Sequence, residues 1–170
     1  MNVVLTGAIG VGKSTAVRRA LRELHGRRIG GLRTLFRGED DGLRSLILSP
    51  WLGTGRVCAR EKPQAATGVG QFDIFEGVFD TYGVELVCRA AENDVAVLDE
   101  LGIFEQGAVR FTRSVSDLWL SHRFVIAVVQ SRALGFWQSA VGDDAPYRLL
   151  EVTAANRDGV PEVIRAALFL

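Results

Sequence analysis

Val3-Val4-Leu5-Thr6-Gly7-Ala8-Ile9-Gly10-Val11-Gly12-Lys13-Ser14-Thr15 decides the fold. An apolar, β-branched run breaks into glycines and then enters an amphipathic segment, so strand, loop and helix follow in the order a phosphate cradle needs. Gly7, Gly12, Lys13 and Ser14 match the pattern G-x-x-x-x-G-K-[ST]. The glycines permit backbone angles and close approaches that a Cβ would block, letting successive N–H groups turn onto phosphate oxygens. The following helix adds the positive end of its dipole. Gly7, Ala8, Ile9, Gly10, Val11, Gly12, Lys13, Ser14 and Thr15 are therefore the expected nucleotide-binding segment. Lys13 would bridge the β and γ phosphates, and the Ser14 hydroxyl would ligand the Mg²⁺ that travels with a nucleotide. The competing reading is a glycine-rich turn without a ligand. Against it, the chain holds 18 Arg and only 2 Lys, and one Lys stands where a compact ammonium suits better than a guanidinium fork.

Outward from this loop, 170 residues suit one domain over 1–170, large enough to bury roughly 70% of the unfolded chain's surface. Twenty basic and twenty acidic residues cancel, so no net field implies nucleic acid or an anionic membrane as partner. Cys58 and Cys88 lack C-x-x-C spacing and a nearby pair of His, and they read as reduced thiols without a structural metal. No secretory signal and no apolar run of about 18 residues is present, so the expected location is the cytoplasm.

Lys13 to Leu24 predicts a helix with Ala16, Val17, Ala20, Leu21 and Leu24 on one face, ended by Gly26. Ile29 to Phe36 predicts a second strand. Ser45–Leu48 and Arg56–Ala59 predict short strands split by turn residues, a hairpin appended to the sheet. Glu61 to Gly70, with Pro63 and Thr67, reads as a mobile surface loop, Gln71–Phe75 as a short strand, and Val78–Ala91 as a helix.

The second informative stretch is Val95-Ala96-Val97-Leu98-Asp99-Glu100, a continuous apolar run ending in two carboxylates. Such a run suits a strand buried on both faces of a parallel sheet, expected beside the first strand. Ligands of open α/β sheets bind at the carboxyl ends of strands, so both acids would face the phosphates. Asp99 would hold Mg²⁺, and Glu100 would orient or deprotonate the attacking water. An acidic helix cap is the alternative, because Phe104–Leu120 predicts a helix next.

Phe124 to Val129 predicts another doubly buried strand, ending at Gln130, a candidate γ-phosphate or water sensor. Ala133 to Pro146, with the acidic pair Asp143-Asp144, reads as a connection holding one helical turn that could cover a base. Leu149–Thr153 predicts the last strand, Asn156 and Asp158 offer caps, and a closing amphipathic helix carries Pro161 in its first turn. Arg33, Arg132 and Arg157 are the candidate charge-stabilising arginines, among which the sequence does not choose.

With both motifs in place, the chain resembles the small P-loop nucleoside-triphosphatase family first known from thermophiles. Four islands carry the resemblance: Thr6–Thr15; Val69-Gly70-Gln71-Phe72-Asp73-Ile74; Leu98-Asp99-Glu100-Leu101-Gly102-Ile103-Phe104-Glu105; and Asn156-Arg157-Asp158. The third is similar to the family's signature and keeps Asp99, Glu100, Gly102 and Glu105, while Ile103 stands where the family usually has Lys and Phe104 where it has Met. The resemblance implies an α/β three-layer sandwich around a mainly parallel sheet of the class that also contains RecA and AAA proteins. It further implies Mg²⁺-dependent hydrolysis of several nucleoside triphosphates, ATP and GTP among them, to diphosphates and phosphate. Two rivals share the loop. Asp99-Glu100-Leu101-Gly102 satisfies the D-x-x-G of a GTP-binding switch, but Lys62 is the only other lysine and no N-K-x-D motif exists. A kinase of nucleotides or small molecules would need an arginine-rich lid, which is not recognisable here.

Overall fold

The structure, a computed structural model, describes residues 1–63, 69–121, 124–142 and 145–169. Thr67 of the expected mobile loop and the pair Asp143-Asp144 lie outside the described residues. Strands β1 (Asn2–Thr6), β2 (Ile29–Gly38), β3 (Arg44–Pro50), β4 (Arg56–Glu61), β5 (Phe72–Ile74), β6 (Val95–Leu101), β7 (Val125–Val129) and β8 (Tyr147–Glu151) form one sheet in the order β5-β4-β3-β2-β6-β7-β1-β8. The helices are α1 (Lys13–Arg22), α2 (Glu76–Val78), α3 (Val84–Ala91), α4 (Val109–Ser121), α5 (Leu134–Val141) and α6 (Val160–Phe169).

The five strands from β2 to β8 in sheet order pair parallel, and β3, β4 and β5 extend the β2 side antiparallel. The expected appended hairpin is thus present, lengthened by β5. The apolar runs explain the layering. Along β6, Val95 and Val97 enter one core while Ala96 and Leu98 enter the other. β7 alternates likewise, with Val125, Ala127 and Val129 opposed to Ile126 and Val128. Period-two alternation with apolar residues at every position leaves neither face for water. Each such Val or Leu contributes about 1.5–3 kcal/mol relative to exposure. Helices α1 and α6 cover one face; α3, α4 and α5 cover the other. No helix among the described residues is long and apolar enough to cross a membrane.

Several expectations need correction. β6 does not lie beside β1: β7 separates them, pairing with β6 through Leu98↔Ala127 and with β1 through Leu5↔Val128. Apolar content cannot distinguish neighbours among strands buried on both faces. The helix expected over Phe104–Leu120 begins only at Val109. Residues 102–108 are a loop held by Glu105, whose carboxylate accepts from Gly102 N–H at 2.9 Å, and the helix start is capped by Asp80, which accepts from Phe111 N–H at 2.9 Å. The Val78–Ala91 helix starts earlier, at Glu76, and passes through a π turn at Phe79–Gly83 that seats Phe79 in the core. Ala133–Pro146 holds more than one helical turn, because Trp137 anchors α5 in the core. The last strand is Tyr147–Glu151, two residues earlier than expected. Asn156 caps no helix: it accepts from Thr153 N–H and donates to the Glu151 carbonyl, fastening the loop after β8, while Asp158 pairs with Arg19 on α1.

Candidate active site

The loop between β1 and α1 turns sharply because Gly7 sits at φ 136° with its Cα against the Val152 carbonyl, where any Cβ would collide. The turn aims the start of α1 across the end of β7 toward β6. Ser14 Oγ donates to Asp99 Oδ1 at 2.7 Å, linking the two motifs over 85 residues of sequence. Lys13, 6% exposed, donates to the carbonyls of Gly7 and Ala8 at 2.9 and 3.0 Å and stands 3.8 Å from Glu100 Oε1. Between them lies a cavity of about 210 Å³ lined by Ile9, Gly10, Gly12, Lys13, Ser14, Thr15 and Glu100.

The two acids reach the same cleft because of an irregularity in β6. Asp99 pairs with Val128 and Leu101 with Val129, so Glu100 is an extra residue in the ladder. Strict alternation would send Asp99 and Glu100 to opposite faces, and a bulge re-aims a side chain locally. Thr34 Oγ1 donates to the Glu100 carbonyl at 2.9 Å and holds this point from β2. Burial raises the Asp99 carboxyl above its usual range; the Ser14 hydrogen bond and then Arg18, Arg33 and Lys13 oppose it. Burial likewise raises Glu100, with Lys13 the main opposing influence, Asp99 adding to the rise, and Gln130 and Arg132 lowering it.

Gln130 follows β7 and lies flat against Gly102, where a Cβ would come within 2.8 Å of its Cδ. It acts on the Glu100 carboxyl, favouring the charged form, and its Oε1 accepts from Arg132 Nε at 3.2 Å. Trp137 Nε1–H donates to the Gly102 carbonyl at 3.0 Å, so α5 supports the same loop. Of the three candidate arginines, Arg132 therefore joins the Glu100 side. Arg33 pairs in register with Asp99 on β2, its Nε donating to Ser49 Oγ at 3.3 Å. Arg157 lays its Cδ 3.7 Å from the position of a Gly12 Cβ. The expected site residues thus converge, with the arginines on three different sides.

The sequence does not single out Thr34, Trp137 or Arg18 as site residues, and Ser131 stands out in it only as one of three polar residues closing the strand. Ser131 Oγ donates to the Gly7 carbonyl and meets Thr6 Oγ1, both at 3.2 Å, bracing the loop from the end of β7. The departures from the family signature are absorbed by the core: Ile103 packs on it, and Phe104 meets Phe72 edge to face at 5.1 Å.

A mostly parallel sheet with a glycine loop after β1 and two acids ending β6 is the architecture of a P-loop nucleotide hydrolase. The family model described as NTPase matches residues 2–165, and the chain belongs to that family of NTP-hydrolysing enzymes. It is 28% identical over 168 residues to the nucleoside-triphosphatase THEP1 of Methanosarcina acetivorans, covering 96% of this chain and 94% of that one. Identity to its counterpart in Thermofilum pendens is 30% over 166 residues, covering 94% and 91%. The fold is similar to that of THEP1 from Aquifex aeolicus (TM-score 0.75, 21% identity, 99% of each chain). It is also similar to a human cancer-related nucleoside triphosphatase (TM-score 0.74, 22% identity, 97% of this chain and 96% of that one).

Proposed function

We propose that residues 1–170 act as one cytoplasmic domain, a Mg²⁺-dependent nucleoside-triphosphatase in which water attacks the γ-phosphate of a triphosphate of loosely specified base. The observation that carries this is the Ser14–Asp99 contact at 2.7 Å beside the Lys13–Glu100 pair. The donor set fits the cation. The Ser14 hydroxyl and the Asp99 carboxylate, 2.7 Å apart, are the hard oxygen donors Mg²⁺ takes and would hold it. Among the described residues no group of three or more His, Cys, Asp or Glu could hold a metal, so the remaining positions suit phosphate oxygens and water, the usual company of this ion. When bound, the cation offsets charge on the phosphate oxygens.

Lys13 and the loop N–H groups grip the β and γ phosphates, which fixes the reacting phosphorus and stabilises its developing charge. Glu100 is fit to orient the water and take its proton, because burial brings its proton affinity nearer to neutral. Gln130 steadies Glu100 and hands Arg132 a place at the γ-phosphate side. The names of the THEP1 relatives support hydrolysis of nucleoside triphosphates. The test is release of free phosphate from ATP, GTP, CTP and UTP, each with Mg²⁺ and without any acceptor. All four should be hydrolysed slowly, and a chelator should stop them. Release that needs an added nucleoside or other acceptor would instead establish a phosphotransferase, and tight GTP binding without turnover a switch.

A further inference from the structure

α1, β2 and the turn after β3 line a second, open cavity of about 390 Å³ that shares no lining residue with the cavity at the phosphate loop. This is nearly twice the volume at the loop, and it falls in the roughly 300–1,000 Å³ range of small-molecule sites. Arg18 and Arg22 from α1 and Arg33 from β2 line it, together with Leu21, Trp51 and Leu52. No carboxylate is among its described lining residues. No side-chain hydrogen bond or ion pair joins Arg22 to a described residue, and the negative charge that Arg18 and Arg33 meet is the field of buried Asp99, whereas Arg19 pairs with Asp158 and Arg28 with Asp94. Three guanidinium groups around one space make it positive beyond what the single Asp99 carboxylate offsets, and so favour an anion there. Guanidinium forks match phosphate and carboxylate oxygens. The rest of the lining is apolar and includes half-buried Trp51, with Leu52 82% exposed. An indole face beside cations suits a planar ring that carries the anionic group.

We propose that this cavity is a second ligand site, separate from the nucleotide site, for a small anionic molecule with a planar ring, a phosphorylated or phosphonylated aromatic. Its ring lies on Trp51 and its anionic head meets Arg18, Arg22 and Arg33. The position follows from the helix: Ser14, Arg18, Leu21 and Arg22 share one face of α1 at i, i+4, i+7 and i+8, so the ligand sits one turn of helix from the residue that meets Asp99.

Trp51 is a built-in reporter, since Trp119 and Trp137 are buried in the core on the other face of the sheet. The full chain is saturated with Mg²⁺ and ADP and titrated with phenylphosphonate, adenosine monophosphate and inorganic phosphate while tryptophan fluorescence is followed. Phenylphosphonate should give a saturable change, and inorganic phosphate, lacking the ring, should bind at least about tenfold more weakly. Adenosine monophosphate binding as tightly as phenylphosphonate identifies a nucleotide source for the ligand; weaker binding identifies a smaller aromatic one. Trp51→Phe should lose the signal yet keep binding by calorimetry. Arg22→Glu should weaken the probe about tenfold or more while ADP affinity and acceptor-free phosphate release stay within about twofold. The proposal is overturned by no saturation up to about 10 mM probe, by unchanged affinity in Arg22→Glu, or by displacement of the probe with excess ADP, which would merge the cavity with the nucleotide site. The titration is repeated without nucleotide, so that a failure of ADP to bind counts against the loop assignment alone.

Discussion

Glu100 and Lys13 touch, yet their replacement should separate. Glu100→Gln keeps the shape and removes the proposed base, so nucleotide affinity should change by less than about threefold while kcat falls by about 10²–10⁴. Lys13→Ala removes a buried ammonium that, on the proposed function, serves ground and transition states together, so both affinity and kcat should drop. An unchanged rate in Glu100→Gln would remove it as the base. Gln130 gives a finer test through pH. It favours the Glu100 carboxylate, so Gln130→Ala should raise the Glu100 pKa further and move the acidic limb of the kcat/KM profile to higher pH. At this scale the sequence was informative where a motif compresses chemistry into adjacent positions, as in Gly12-Lys13-Ser14 and Asp99-Glu100. It was silent on Thr34 and Trp137, because a lone hydroxyl or indole acquires meaning only through contacts 35–66 residues away in the chain.

Among the elements, the segment between β6 and α4 shows most clearly what periodicity misses. Phe111, Val115, Leu118 and Trp119 do form the buried stripe expected of a helix, but residues 104–108 leave it, because Glu105 is fully buried and bound to backbone N–H groups. No spacing rule reveals that a carboxylate faces inward. Burial pushes Glu105 up to about 7, with its own and the Gly102 N–H groups opposing and Glu100 adding. Its folded pKa exceeds the unfolded value of 4.5, so its contribution to stability is fully present below about 4.5 and is lost as pH rises through about 7. The loss amounts to about 3 kcal/mol at most. Urea midpoints measured from pH 5 to pH 8 should therefore fall with rising pH, and Glu105→Gln should flatten that slope. A slope unchanged in the variant would assign the pH dependence to other groups. Asp99 and Glu100, also raised, act in the same direction.

Taken whole, the molecule is a sheet with two cores, and strand runs such as Val95–Leu98 make this three-layer arrangement legible in the sequence. Strand order was not legible: β7 inserts between β1 and β6, and only the reach of α1 across it brings Ser14 to Asp99. A triphosphate held by the loop, Ser14 and Asp99 would consequently tie β1 and α1 to β6, elements that share no strand pairing. Anything that binds the folded chain alone stabilises it, by about 2.7 kcal/mol at a concentration one hundred times Kd. For a domain of this size each kcal/mol moves Tm by about 2–4 °C, so a non-hydrolysable triphosphate with Mg²⁺ should raise Tm by about 5–11 °C. In Lys13→Ala the same addition should raise it by less than about 2 °C, since the affinity that drives the shift is gone. Asp99→Asn should lose most of the Mg²⁺-dependent part of the shift while keeping what the nucleotide alone supplies. If both variants retained the full shift by scanning calorimetry, the triphosphate would have to be held elsewhere than between β1, α1 and β6.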